Sequence, residues 1–197
     1  YGNFHRVVIF KDGAEKTDQI LPFSRLDSQD PEDLWAFLED YEHRTDGEAM
    51  AIPHNGNATR GAMFALTDLK DRPLSKQYAL VRSRWEPILE VTQTKGDSES
   101  HPVLSPNDEF SDFNTWNGWY PDEYNRDWTE LNETQKKRKP YEYARSALKL
   151  GLGQHAQLGV NPFKFGMIGS TDFHNSLSAA QEHNFWGASG TSFPNPE

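Results

Sequence analysis

Short apolar runs alternate along the chain with longer segments whose apolar residues recur at helical spacing. The apolar runs predict four β-strands, at residues 4–10, 49–52, 88–91 and 165–168. The segments between them predict three helices, which begin at Asp30-Pro31, at Ser75 and at Pro140. The resulting order of strands and helices is typical of βαβ units in a parallel sheet or barrel. In folds of that kind, chemistry gathers at the carboxyl ends of the strands.

A long polar stretch interrupts this alternation at about residues 95–139. It is rich in Asp, Asn, Trp and Pro, and it carries an aromatic stripe made of Phe110, Phe113, Trp116, Trp119 and Tyr120. Loops of this length in a compact domain are usually functional or disordered. Core packing is one interpretation of the stripe, and a lid or platform for a sugar-like molecule or an organic ester is the other.

The composition indicates a folded domain with a polar cleft. The chain has 197 residues, and 13% of them are aromatic although the mean hydropathy is -0.85, so we expect order rather than disorder. A net charge of -10 argues against general nucleic-acid binding, but bound cations can still attract an anionic substrate. The chain has no apolar run long enough to span a bilayer. The absence of cysteine excludes disulfides and thiolate metal sites and selects no compartment.

Three histidines and an aspartate lie in or directly after predicted strands. Asp172 and His174 follow the last strand two residues apart, so in an extended segment their side chains would project to the same side. His54 follows the second strand, whereas His5 lies near the start of the first. Nitrogen and oxygen donors without sulfur suit Zn, Mn or Fe. The pattern favours metal binding for His54, Asp172 and His174, and for His5 it leaves a metal ligand and a structural histidine equally open.

Four further residues are candidates for catalysis or substrate binding. Glu90 lies inside an apolar strand, where a carboxylate must be paired, protonated or metal-bound, so either a catalytic role or a buried structural network explains it. Arg60 and Arg145 are candidate anion holders, although Arg145 equally fits a solvated helix face. We assign Glu90 and Arg60 as candidate catalytic residues, and His101 and Arg145 as candidate substrate-binding residues.

Three motifs in this order resemble the later motifs of the PHP (polymerase and histidinol phosphatase) superfamily. They lie at residues 53–57 (PHNGN), 89–93 (LEVTQ) and 169–174 (GSTDFH). More closely, the chain resembles the DUF3604 family of PHP-like proteins over nearly its whole length. The stretches that carry this resemblance are 3–10 (NFHRVVIF), 90–102 (EVTQTKGDSESHP), 105–110 (SPNDEF), 143–152 (YARSALKLGL), 159–174 (GVNPFKFGMIGSTDFH) and 184–187 (NFWG).

The resemblance implies an α/β fold, namely the C-terminal part of a distorted (β/α)7-type barrel, with residues 1–197 as one partial domain. It also implies two or three divalent transition metals, Zn, Mn or Fe, that activate water. Carried over onto this sequence, His5 and His54 would be the two later histidines of the PHP metal site, and Asp172 and His174 its final Asp-x-His pair. Glu90 falls on a strand position that does not usually supply a metal ligand in PHP proteins.

The early part of the PHP metal site has no counterpart in this chain. An early His-x-His, a further histidine and a bridging Glu would precede residue 1. We therefore expect an upstream segment of the same protein to complete the site, and this chain to be inactive alone. For the intact protein the resemblance implies hydrolysis of small anionic esters, above all phosphoesters, by metal-activated water. The competing expectation is a ligand- or glycan-binding module that uses the aromatic insert, with structural histidines.

Overall fold

All four predicted strands form, and two small sheets contain them. The computed structural model describes residues 4–116, 128–172, 174, 181 and 183. The strands are β1 (Arg6–Phe10), β2 (Ala49–Pro53), β3 (Ile88–Gln93), β4 (Gly96–Asp97) and β5 (Gly166–Gly169). The α-helices are α1 (Ala14–Thr17), α2 (Pro31–Thr45), α3 (Lys76–Trp85), α4 (Glu133–Arg138) and α5 (Ala144–Leu158). Three short 3-10 turns lie at Gly56–Ala58, Trp128–Glu130 and Lys139–Tyr141.

Two of the three long helices begin where the sequence predicts. The Asp30 carboxylate accepts a hydrogen bond from the Glu32 amide at 3.0 Å and so caps α2. The Ser75 hydroxyl caps α3 in the same way. The third helix begins at Ala144 rather than at Pro140, because Pro140 lies in the 3-10 turn that precedes α5.

Strand direction differs between the two sheets. β1 and β2 pair antiparallel, with Arg6 opposite Pro53 and Phe10 opposite Ala49. In the other sheet the order is β4-β3-β5, and β3 runs parallel to β5. The predicted parallel pairing is therefore confirmed for β3 and β5 and wrong for β1 and β2. The connection between β1 and β2 holds two helices and is long enough to return the chain in either direction.

The core lies between the long helices and one face each of β1, β2 and β3. Trp35 and Leu38 of α2 are fully buried, and Phe64 and Phe163 pack edge to face with centroids 5.5 Å apart. Side chains alternate along β1, and the face that carries Val8 packs against this core. His5 precedes β1 and belongs by this alternation to the opposite, outward face.

The described parts of the predicted insert are structured. Residues 95–116 contain β4 and several turns, and residues 128–139 contain α4. The Asp97 amide donates to the Asn114 carbonyl at 2.9 Å. The strands in the ranges that the structure covers form no closed barrel. Across those same ranges, no helix combines the length and the apolar character needed to span a bilayer.

Candidate functional site

His5 and His54 lie side by side because β1 and β2 are antiparallel. That pairing brings the start of β1 next to the end of β2, and the His54 amide donates to the His5 carbonyl at 3.3 Å. The two imidazole rings are stacked, with centroids 5.6 Å apart and planes inclined by 26°. A histidine at the start of one strand can thus share a site with a histidine at the end of another.

Glu90 links the two sheets through His54. It is buried in β3, and its Oε1 lies 3.3 Å from Nδ1 of His54. A carboxylate at Nδ1 fixes the tautomer and orientation of an imidazole and directs Nε2 toward a further ligand. The pairing supplies the partner that a buried carboxylate requires, and it places Glu90 directly behind a predicted metal ligand.

Asp172 and His174 contact each other after the end of β5. His174 Nε2 lies 2.9 Å from Asp172 Oδ1. The φ angles of Asp172 and His174 are 55° and 56°, in the left-handed region, so the predicted extended segment is wrong. The two side chains are in contact with both residues in this left-handed conformation. Residues other than glycine adopt the left-handed backbone region at an energetic cost, and residues with such strain concentrate at functional sites.

Lys95 completes the group, although the sequence analysis assigned it no role. Since β3 and β5 run parallel, Lys95, two residues after β3, and Asp172, three residues after β5, leave the sheet at the same edge. The Lys95 ammonium forms an ion pair with Asp172 Oδ2. Its place after the carboxyl end of a strand was the signal that could have identified it. We call six residues the strand-end cluster: His5, His54, Glu90, Lys95, Asp172 and His174.

Burial depresses two pKa values in the strand-end cluster. Burial lowers the pKa of His5, and the next largest cause is the charge of His54. Interactions with Lys95 and His174 act in the same direction, so these residues influence one another electrically. Burial also lowers the pKa of Lys95, and the nearby Glu90 carboxylate partly opposes that change.

The strand-end cluster has the donor types of a transition-metal site. Its imidazole nitrogens and carboxylate oxygens suit Zn, Mn or Fe. In the part of the chain that the structure describes, however, no three His, Cys, Asp or Glu side chains converge in a way that would hold one ion. At Asp172 the Lys95 ammonium supplies the positive charge that a bound cation would supply. The residues therefore fit a metal in donor type, and at Asp172 a cation of the chain itself contacts the carboxylate.

Arg60 lines a separate cavity of about 230 Å³. Phe4, which directly precedes His5, is also part of the lining, together with Asp30, Asp68 and Tyr78. Arg60 has a φ angle of 55°, again in the left-handed region. Its predicted catalytic role stays a prediction.

The structure gives His101 and Arg145 structural partners. His101 is fully buried, with Nδ1 accepting from the Val103 amide at 3.2 Å. Arg145 pairs with Glu99 through an Nε to Oε1 contact of 2.8 Å and also contacts Asp108, so it fastens α5 to the insert. Their proposed contacts with substrate stay predictions.

The aromatic stripe does not pack as a core where the structure describes it. Phe110 and Phe113 are 72% and 71% exposed, and Trp116 is half-buried. Trp119 and Tyr120 lie outside the described residues. The core interpretation is therefore wrong for Phe110 and Phe113.

Comparison with known proteins gives one result. No curated protein matches the sequence, and no solved structure matches it. A family model described as "Protein of unknown function (DUF3604)" matches residues 1–197, the entire chain. The chain therefore belongs to the DUF3604 family.

Proposed function

We propose that the intact protein is a metal-dependent hydrolase of small anionic esters, above all phosphoesters, and that this chain forms the C-terminal part of its PHP-like barrel. The observation that carries the proposal is the grouping of His5, His54, Asp172 and His174, which come from three distant places in the sequence. His5 stacks on His54 and interacts electrically with His174, which contacts Asp172. A purely structural role would not require these four residues to lie together.

In this proposal the residues of the strand-end cluster would hold the metal ion and orient its ligands. A divalent ion held at the cluster would supply Lewis-acid activation of the ester and of the attacking water. His54 would bind that ion through Nε2, with its Nδ1–H donating a hydrogen bond to Glu90, whose Oε1 lies 3.3 Å from Nδ1 and would fix the ring. His5, Asp172 and His174 would add two imidazole nitrogens and a carboxylate oxygen.

Glu90 and Arg60 would act at different places. Glu90 is behind His54 and acts by orienting it. Arg60 borders the separate cavity that Phe4 helps to line, and a guanidinium there would neutralise charge on a bound ester whose anionic group extends into that cavity. Both roles belong to the proposal, together with the upstream segment that would complete the metal site.

The test is metal binding and hydrolysis by the full-length protein. Supplied with Mn or Zn, it should bind metal and hydrolyse an aryl phosphate, and His54→Ala or Asp172→Ala should lower kcat/KM by about 100-fold or more and reduce the bound metal. His43→Ala, an exposed histidine in the last turn of α2, is the matched control and should change neither. Unchanged turnover and metal content in both cluster variants would dispose of the proposal.

The exposure of Phe110 and Phe113 favours a second candidate, a ligand-binding role for the insert. Aromatic faces open to solvent are suited to stacking on a sugar ring or another flat apolar group. If so, Phe110→Ala and Phe113→Ala should weaken glycan binding in an array measurement without changing metal content. Leu26→Ala, at a site that is 90% exposed, is the control. Equal glycan binding by all variants would contradict this role.

A further inference from the structure

A buried network of amide side chains holds the backbone of Lys95. The Asn57 Nδ2 donates to the Lys95 carbonyl at 3.0 Å, and the Lys95 amide donates to Gln93 Oε1 at 2.6 Å. Gly96, the next residue, has a φ angle of 99°, and a Cβ there would lie 2.6 Å from Cβ of Trp116. The turn after β3 is thus fixed on both sides of Lys95.

The same network reaches the loop that follows His54. The Ser98 hydroxyl donates to Asn57 Oδ1 at 2.9 Å, and Gln93 Nε2 donates to Asn55 Oδ1. All four of these side chains are buried, with exposures of 2% to 6%. Buried polar networks specify one geometry, at a cost in stability that apolar packing would avoid. The network therefore fixes the position of the turn at Lys95 relative to the loop that follows His54.

The partner of Lys95 differs from those of three basic residues with buried side chains, Arg6, Arg82 and Lys139. Arg6 and Arg82 hold Glu86, and Lys139 holds Glu142, all within the packed core. Lys95 instead contacts Asp172, a predicted metal ligand, and its side chain is 21% exposed. A cation that takes Asp172 would deprive the Lys95 ammonium of the carboxylate that it contacts. The Glu90 carboxylate also acts on Lys95 but is paired with His54, so the partly desolvated ammonium would attract an anion.

We propose that Lys95 binds the anionic group of the substrate, and that it exchanges Asp172 for the substrate when a metal ion takes that carboxylate. The inference rests on the proposed function of the same cluster. It adds a substrate-binding residue and a competition between lysine and metal for one carboxylate. An ammonium on a flexible stem suits phosphoryl, sulfate or carboxylate oxygens as a point charge.

The first measurement is metal affinity in the absence of substrate. Equilibrium dialysis of the full-length protein against Mn²⁺ should show several-fold tighter binding for Lys95→Met. In that variant the ion pair between Lys95 and Asp172 no longer has to break before Asp172 binds the metal. Lys95→Arg should stay near the wild type. Weaker or unchanged Mn²⁺ binding by Lys95→Met would overturn the proposed competition.

The second measurement uses inorganic phosphate as the probe on Mn²⁺-loaded protein. Lys95→Met should weaken phosphate binding by about tenfold or more, Lys95→Arg should recover most of it, and Lys164→Met, an exposed lysine beyond α5, should have no effect. Equal phosphate affinity of loaded wild type and Lys95→Met would overturn the role of Lys95 and leave the hydrolase proposal in place. A wild-type protein that takes up no metal would overturn both.

Discussion

Glu86 shows how much a single buried charge can organise in this protein. Its Oε1 accepts from Arg6 Nε at 2.8 Å and from Trp35 Nε1 at 3.1 Å, and Arg82 Nε lies 3.0 Å from Oε2. Burial by itself would raise the pKa of Glu86, but the guanidinium groups of Arg6 and Arg82 together bring it below its usual range. Because Arg6 is turned inward by this contact, its neighbour His5 is turned toward the strand-end cluster.

Replacement of Glu86 by Gln should destabilise the fold by about 3–5 kcal/mol at pH 7, since two buried guanidinium groups lose their counter-charge. A carboxyl whose folded pKa is depressed contributes stability above its unfolded pKa of about 4.3 and loses it as the pH falls through the folded value. The difference between wild type and Glu86→Gln should therefore shrink in urea titrations below pH 4.3. Glu48→Gln, which removes an exposed partner of Lys11, is the control and should change little. A constant difference at all pH values would contradict the assignment.

Single residues of the site were predictable in identity but not in conformation. The placement of His54, Asp172 and His174 after apolar strands selected residues that do lie in one cluster. The positive φ angles of Asp172 and His174 left no trace in the sequence, because both residue types adopt extended backbone more often. Lys95 was missed because a lysine in a polar stretch looks like a solvated one until the parallel pairing of β3 and β5 is known.

Helices were more predictable than sheets at the scale of elements. Caps such as Asp30 and Ser75 act within one turn, so local sequence fixes where α2 and α3 begin. The direction of β1 relative to β2 depends on a connection that holds two helices, and no local pattern encodes it. The same limit applied to His5, which the resemblance named as a ligand but whose contact with His54 depends on that direction.

Two glycines of α5 should respond in opposite directions to the same substitution. Gly159, at the C-cap, has a φ angle of 75°, whereas Gly153 lies inside the helix, and a Cβ at either position would meet nothing within 4 Å. Gly159→Ala should lower the free energy of unfolding by about 1 kcal/mol through backbone strain. Gly153→Ala should raise it by about 0.5–1 kcal/mol through helix propensity. Urea denaturation measures both, and effects of the same sign would contradict the left-handed cap.

The net charge that this chain contributes opposes the proposed substrate. A net charge of -10 repels an anion at long range, while the strand-end cluster would attract it at short range through Lys95 and a bound cation. Membership of the DUF3604 family covers the entire chain, so the family could be identified from sequence. The division between long-range repulsion and local attraction could not be predicted from sequence, because it depends on which charged side chains face the cluster.

Added salt should consequently help the reaction. Raising the ionic strength from about 0.02 M to about 0.2 M shortens the screening length from roughly 20 Å to below 10 Å and weakens the long-range repulsion. The kcat/KM for an aryl phosphate monoester should rise a few-fold, and that for a singly charged diester should rise less. A steady fall in kcat/KM with salt would indicate that attraction by the cluster dominates at every distance.

The antiparallel register of β1 against β2 has a consequence for how the gene can vary. Side chains alternate across a strand, so a shift of one position would send Arg6 outward to the strand-end cluster and bury His5 against Glu86. Both the cluster and the buried ion pair would be lost together. Insertions of one codon should therefore be tolerated in the connection between β1 and β2 and be eliminated by selection within either strand.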